Sequence, residues 1–159
     1  MSLKTIRRRR KEGKTDYRLR FGLLKSSKPR IIIRKTNRYI IVQLVETDIA
    51  QDKIVVTFSS RDLLSKGWPK EATGSLKSLQ AAYLSGLMLG KSLKGKVKEA
   101  ILDLGMNRNV HGSRVYAALK GVLDAGINIP HDPKSLPTEV RFKSNDKLFT
   151  LMQKLKDKV

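Results

Sequence analysis

The sequence contains no cysteine and only two histidines, so several kinds of chemistry lack the residues to perform them. Without cysteine there is no disulfide, no thiolate metal site and no thiol nucleophile, which fits a cytosolic protein. His111 and His131 are too few for a metal constellation. We therefore expect no metal, no cofactor and a cytoplasmic location.

Long apolar runs and acidic residues are also scarce. No run approaches the roughly 18 apolar residues of a membrane span, and we expect no secretory signal because no apolar segment follows the first six residues. Only 14 acidic residues face 34 Lys and Arg, giving a formal net charge of +20. The basic segment at the amino end, residues 1–38, has no apolar stripe opposite its charges, so nucleic acid is a better expected partner than a membrane.

Most of the charge lies at the amino end. Residues 1–38 hold 15 Lys or Arg against Glu12 and Asp16, which is about +13 of the +20. Such a segment repels itself and is poor in apolar residues, so on its own we expect it to be disordered and to fold against a polyanion. We accordingly expect three parts. A basic RNA-binding arm is expected at 1–28, an α/β globular domain at 29–130, and a loop with a C-terminal amphipathic helix at 131–159.

The residue pattern predicts an α/β fold, with a mixed four-stranded sheet packed against helices and an extended basic N-terminal arm. β-Branched and alternating segments predict strands at 30–34, 39–46 and 54–60, with a polar loop at 47–53. These three strands should form an antiparallel meander. A fourth strand, at 98–104, follows a long helix and should be a parallel crossover.

Three helices are predicted after the meander. The first is capped by Ser75 or Ser78 and ends at Gly95, and its small residues should let it approach the sheet closely; these are Ala82, Gly86 and Gly90. The second begins at Ser113 and ends at Gly126, and a loop follows at 127–137. The third is an amphipathic helix within 145–159.

Two segments resemble phosphate sites. Gly13-Lys14-Thr15 looks like the end of a P-loop, but Arg8 stands where the motif needs its first glycine, so nucleotide hydrolysis is not expected there. The segment 101–118 is the second, since Asp103 lies near a strand end and Ser113 at a helix start, where an α/β enzyme could bind phosphate.

The same segment has two other interpretations. Asp103 could fix the loop and Ser113 could cap the helix, which we favour because caps are common. Alternatively, Arg108, His111 and Arg114 could surround the free N–H groups of the helix and bind an RNA backbone phosphate. Three aromatic residues could stack on unpaired bases, although packing is their commoner role; they are Tyr17, Tyr39 and Trp68.

Several motifs, in a fixed order, carry a family resemblance. They are Gly13-Lys14-Thr15-Asp16-Tyr17-Arg18, Lys28-Pro29-Arg30, the run 37–43, Ala81-Ala82-Tyr83-Leu84 with Gly86, Gly112-Ser113-Arg114-Val115-Tyr116-Ala117-Ala118-Leu119-Lys120-Gly121, and Asp124-Ala125-Gly126. Over about residues 7–131 the chain resembles the family of the universal large-subunit ribosomal protein numbered eighteen, in its archaeal form, kin to the eukaryotic fifth large-subunit protein.

The resemblance implies a ribosome-bound structural protein without catalytic activity. Its partners would be 5S rRNA, large-subunit rRNA and neighbouring large-subunit ribosomal proteins, with no membrane and no small-molecule substrate. It would help attach 5S rRNA to the large-subunit rRNA in the central protuberance. Two alternatives remain open, a general basic RNA-binding protein and an enzyme with a phosphate site in the loop from Asp103 to Ser113.

The residues expected to bind RNA belong to the arm, to the first hairpin and to the loop before the second helix. The resemblance implies the arm and hairpin contacts, and an extended arm of arginines suits RNA read by shape and backbone. The residues are Arg7, Arg8, Arg9, Arg10, Lys11, Lys14, Thr15, Asp16, Tyr17, Arg18, Arg20, Arg30, Arg34, Asn37, Arg38, Tyr39, Gln43, Arg108, His111, Ser113 and Arg114.

Overall fold

Four strands form one mixed sheet in the order β3-β2-β1-β4. The structure is a computed structural model that describes residues 5–49, 51–156 and 158. β1 pairs antiparallel with β2 and parallel with β4, and β2 pairs antiparallel with β3, which confirms the meander and the parallel strand. The strands are β1 Arg30–Lys35, β2 Ile40–Asp48, β3 Gln51–Ser59 and β4 Ile101–Asp103.

The alternating side chains of β1 and β2 give the sheet one apolar and one mixed face. The apolar face supplies Ile31, Ile33, Ile40, Val42 and Leu44, all at most 1% exposed, to the hydrophobic core. Residues between them point the other way, because side chains alternate along a strand. This second face therefore carries Arg30, Arg34 and Gln43.

Six α-helices accompany the sheet within the described residues. Two lie in the basic arm, α1 Arg8–Lys11 and α2 Tyr17–Leu24. The long central helix α3 Leu79–Leu93 begins at Ser78, whose side chain accepts a hydrogen bond from the Ala81 amide. The others are α4 Arg114–Asp124, α5 Glu139–Phe142 and α6 Asp146–Lys156, with short 3-10 helices at Ser60–Leu64, Lys70–Ser75 and Pro133–Ser135.

The central helix α3 is buried on almost every side, as its apolar sequence requires. The prediction that its glycines approach the sheet is wrong, because they face α4 instead. A Cβ on Gly86 would overlap the carbonyl oxygen of Ala118, and one on Gly121 of α4 would overlap that of Tyr83. The two helices therefore cross backbone to backbone, at a distance that only glycine allows.

Several element bounds differ from the predicted ones. β2 and β3 continue into the predicted polar loop at 47–53, because Thr47 pairs with Asp52 across a tight turn in which Ile49 has φ 53°. β4 is shorter than predicted, since Glu99 forms its bridge with Asn128 instead of with the sheet. The predicted ranges 1–28, 47–53 and 131–159 each include residues outside the description.

β3 is the outermost strand beside β2, and it carries two exposed apolar side chains, Ile54 at 56% and Val55 at 44%. A bulge interrupts its pairing with β2 between Leu44 and Val45. Among the described residues, no helix has the combination of length and apolar character that a membrane crossing would need.

Candidate nucleic-acid interface

The described part of the arm contains two short helices, α1 and α2, which the charge pattern of the sequence does not predict. α2 begins at Asp16, whose carboxylate accepts hydrogen bonds from the amides of Arg18 at 2.9 Å and Leu19 at 3.1 Å. This is the N-cap arrangement that fixes a helix start. Asp16, predicted as an RNA contact, thus has a structural task within the arm.

Short-range contacts link α1 to the start of α2. The Arg9 guanidinium donates to the Thr15 hydroxyl at 2.9 Å, and the Arg7 guanidinium lies 4.8 Å from the centre of the Tyr17 ring. Glu12 pairs with Lys14 at 2.8 Å and with Arg8 at 3.7 Å. The remaining predicted cations of the arm are mostly exposed and available to phosphate; they are Arg10, Lys11 and Arg18, with Arg20 partly buried.

Two ion pairs fasten the arm to the globular part. Arg20 pairs with Asp52 of β3 at 2.8 Å, and Lys28 pairs with Glu99 at 2.7 Å. The hydrogen bond and the charge of Lys28 lower the pKa of the Glu99 carboxyl. The arm therefore contacts β3 through Arg20 and the segment before β4 through Lys28.

The side chain of Arg30, which is in the predicted RNA-binding set, is buried and paired within the protein. It is 1% exposed, and its guanidinium donates to Asp103 at 3.0 Å, to Asp52 at 2.5 Å and to Thr47 at 3.0 Å. A buried guanidinium needs such partners, because an unpaired buried charge is strongly destabilising. Its task is to join β1 to the neighbouring strands.

Asp103 has the loop-fixing role that was favoured for it. Its carboxylate accepts from Arg30, from Arg34 at 3.1 Å and from the Gly105 amide at 2.7 Å. These three donors occupy the oxygens that a catalytic role would need. Asp103 lines a small cleft with residues of the arm, whereas Arg108 and Ser113 line a different one.

Asn37, Arg38 and Tyr39 of the predicted set lie in the turn between β1 and β2, whereas Arg34 and Gln43 lie on the strands. Asn37 and Arg38 are exposed, and Tyr39 is partly buried. The Arg34 side chain is 37% exposed although it also binds Asp103. Gln43 donates to the Thr57 hydroxyl on β3 at 3.0 Å, so it is already partly engaged within the sheet.

The loop before α4 places its cations around an uncapped helix start. Ser113 occupies the N-cap position as predicted, but its side chain makes no capping hydrogen bond. Arg108 and His111 are exposed and Arg114 is partly buried. With Lys35 and Arg141, the two arginines line a cleft of about 390 Å³ that also contains Ser113.

The aromatic residues separate into packed and accessible ones. Trp68 is 2% exposed and its indole N–H donates to the Ala72 carbonyl at 3.0 Å, so it cannot stack on RNA as one interpretation allowed. Phe21, which the sequence reasoning missed, is 62% exposed on α2 and lies under the Lys25 ammonium at 4.8 Å. An N-cap at Asp16 followed by Tyr17-Arg18-Leu19-Arg20-Phe21 is the signal that could have placed it on a basic helix.

Comparison with known proteins gives a family and close relatives. The model of the family described as ribosomal large subunit proteins 60S L5 and 50S L18 matches residues 2–99 and 94–132. Large ribosomal subunit protein uL18 of Korarchaeum cryptofilum is 50% identical over 137 residues, which is 86% of this chain and 68% of the relative. The uL18 proteins of Methanothrix thermoacetophila and Aeropyrum pernix are each 44% identical over 86% of this chain, covering 79% and 63% of the relatives.

Proposed function

Because the chain belongs to the family of ribosomal large subunit proteins 60S L5 and 50S L18, we propose that it binds 5S rRNA and helps attach it to large-subunit rRNA in the central protuberance. The chain is a structural constituent of the large ribosomal subunit. Its place on cytoplasmic ribosomes, beside other large-subunit proteins, is part of the same proposal. No catalytic activity is proposed, since Asp103 is engaged by Arg30, Arg34 and Gly105.

The single observation that carries the RNA proposal is the geometry of the charged arm. α1 presents three arginines and a lysine, all of them exposed. Arginine binds phosphate through a planar fork of donors, and an array of such forks neutralises several phosphates along one RNA strand or groove. The ion pairs of Arg20 with Asp52 and of Lys28 with Glu99 link the arm to the globular part.

The hairpin extends the proposed surface beyond the arm. Asn37, Arg38 and Tyr39 lie at the end of the β1–β2 hairpin and are at least partly exposed. Arg34 lies on the face of the sheet that carries Asp103, and Arg9, Lys14 and Thr15 of the arm line the same small cleft as these two. The arm and the hairpin can therefore contact one continuous piece of RNA.

Salt dependence tests the proposal. A variant with Arg7, Arg8, Arg9 and Arg10 all changed to Ala should bind 5S rRNA with a shallower salt slope, by about 3, since each phosphate contact contributes about 0.7 to 0.9. The matched control removes four charges elsewhere, from Lys66, Lys94, Lys96 and Lys154, which are exposed. It should change the slope much less.

An unchanged slope in the arm variant, or an equal change in the control, would contradict the role of the arm. Competition with an unrelated structured RNA at physiological salt tests the choice of partner. 5S rRNA should win by far more than charge alone allows. Equal competition would instead identify a general basic RNA-binding protein.

A further inference from the structure

We propose that the cleft at the start of α4 is a binding site for a single phosphate group, built from Lys35, Arg108, Arg114 and Arg141 around Ser113. The proposal deepens the proposed function where the phosphate is part of RNA, and in that case it rests on it. Lys35 and Arg141 were not among the residues predicted to bind RNA. They come from opposite ends of the chain and meet here only in the folded protein.

The first argument is a set of unused donors. α4 has 11 residues, and its first three amides, of Arg114, Val115 and Tyr116, find no acceptor in the described chain. A serine at the N-cap normally accepts one of these bonds, but Ser113 does not. The dipole of the helix adds partial positive charge at the same place.

The second argument is the Ser113 hydroxyl itself. Its oxygen exposes less than 1 Å² and has no hydrogen-bond partner in the described structure. A buried hydroxyl without a partner is unfavourable, and native proteins rarely keep one without a reason. Ser113 lies in the wall of the cleft, so a rotation of its side chain toward an anion held there would give the hydroxyl an acceptor.

The third argument is the charge of the cleft. Four of its ten lining residues are Lys or Arg and none is acidic. Arg141 packs against the backbone of the loop before α4. Its guanidinium donates to the His111 carbonyl at 3.4 Å and occupies the space that a side chain on Gly112 would fill. Gly112 has φ 62° and its amide is held by the Ser135 carbonyl at 2.8 Å, so the loop is fixed in the shape that admits Arg141.

These features together fit phosphate better than a carboxylate or a neutral ligand. Three amides, a hydroxyl and several cationic side chains can surround an anion with many oxygens, and helix starts are established phosphate sites in proteins. The cleft is open to solvent and has room for a phosphodiester as well as for free phosphate. The source of the phosphate is therefore a question for the experiment.

The test is an NMR titration of the full chain with inorganic phosphate, against chloride at equal ionic strength. The amide signals of Arg114, Val115 and Tyr116 should shift together and saturate. Ser113→Asp should place a carboxylate on these amides, raise the thermal stability without phosphate, and weaken phosphate binding by roughly tenfold or more. Arg61→Gln, which removes one exposed charge outside the cleft, should bind phosphate like the wild type.

Lys35→Gln provides a second variant, because Lys35 is exposed and its loss does not disturb the core. It should weaken phosphate binding several-fold while the unfolding midpoint stays the same. The proposal is overturned if the shifts do not saturate, if they spread evenly over the cationic surface, or if Ser113→Asp and Lys35→Gln both bind phosphate like the wild type.

A titration of the same variants with 5S rRNA identifies the source of the phosphate. A loss of RNA affinity in Ser113→Asp supports an RNA backbone phosphate, whereas unchanged RNA affinity with lost phosphate binding supports a free phosphate or a small phosphate-bearing molecule. If no variant and not even the wild type binds 5S rRNA, the proposed function fails. The titration with inorganic phosphate still shows whether the cleft binds phosphate.

Discussion

Arg30 and Asp103, on the adjacent parallel strands β1 and β4, form a buried ion pair with 3.0 Å between Nη1 and Oδ2. The Arg30 side chain is 1% exposed and that of Asp103 is 9% exposed. The Nη2 atom of the same guanidinium pairs with Asp52 of β3. Because the guanidinium also donates to the Thr47 hydroxyl on β2, one arginine connects all four strands of the sheet.

Removing the carboxylate should damage the fold. Asp103→Ala should lower the free energy of unfolding by about 3 kcal/mol, because a buried guanidinium loses a charged partner. Urea denaturation measures this. Glu99→Gln is the control, since it removes one partner of the solvent-exposed pair with Lys28 and should leave the unfolding midpoint unchanged. Similar midpoints for both variants would show that the Arg30–Asp103 pair contributes no more to stability than the exposed Lys28–Glu99 pair.

The glycines between α3 and α4 should not tolerate a methyl group. Gly86→Ala and Gly121→Ala should each cost about 3 kcal/mol, because the added Cβ overlaps a backbone carbonyl oxygen of the facing helix. Gly22→Ala on α2 is a matched control with no neighbour within 4 Å. It should be neutral or gain up to about 1 kcal/mol of helix stability. Equal effects at the three positions would disprove the close crossing.

Tyr83 should make the fold sensitive to alkali. Burial of its ring and the hydrogen bond of its hydroxyl to Asp124 at 2.7 Å raise the pKa of Tyr83 well above its usual value of about 10. Its contribution to stability is therefore complete below pH 10 and is lost as the pH rises beyond it, because the unfolded chain releases the proton first.

Tyr83→Phe should remove this part of the pH dependence. The variant should lose about 1 kcal/mol at neutral pH, for the missing hydrogen bond, and should lose less further stability than the wild type between pH 9 and 11. Unfolding midpoints across that range give the comparison. A variant whose stability falls as steeply as that of the wild type would show that another group causes the alkaline loss.

Substitutions of Asp16 can distinguish its role as a helix cap from its predicted role as an RNA contact. Asp16→Ala should lower the helicity of α2 and cost about 1 kcal/mol of local stability, measured by amide exchange of residues 18–24. Asp16→Asn keeps a capping oxygen and removes a negative charge from the arm, so 5S rRNA should bind this variant at least as tightly as the wild type. Weaker RNA binding with intact helicity would instead indicate a direct contact by the carboxylate.

Local sequence patterns are sufficient to predict most of the elements. β-Branched alternation places β1 and β2 within two residues of their observed starts, and Ser78, Ser113 and Gly126 mark helix ends that the structure confirms. The amphipathic tail helix is also observed, as α6. These features depend on neighbours in sequence, which is the information that such patterns contain.

Features that depend on distant residues are not predictable in this way. Arg30 has the same sequence character as the exposed arginines of the arm, and only its partners 22 and 73 residues away show that it is buried. Likewise the glycine spacing of α3 indicates close packing, but nothing local shows that the partner is α4 and not the sheet. The phosphate cleft joins Lys35, Ser113 and Arg141 for the same reason.

The outermost position of β3 matters most for chains that have been synthesised but not yet assembled. Alternate residues of this nine-residue strand direct their backbone donors and acceptors away from β2, next to exposed Ile54 and Val55, and this is a template on which a second copy could add a strand. The bulge opposite Leu44 and Val45 and the charge of Lys53 oppose such stacking. At high concentration and without RNA, self-association through β3 is thus the expected route to precipitation.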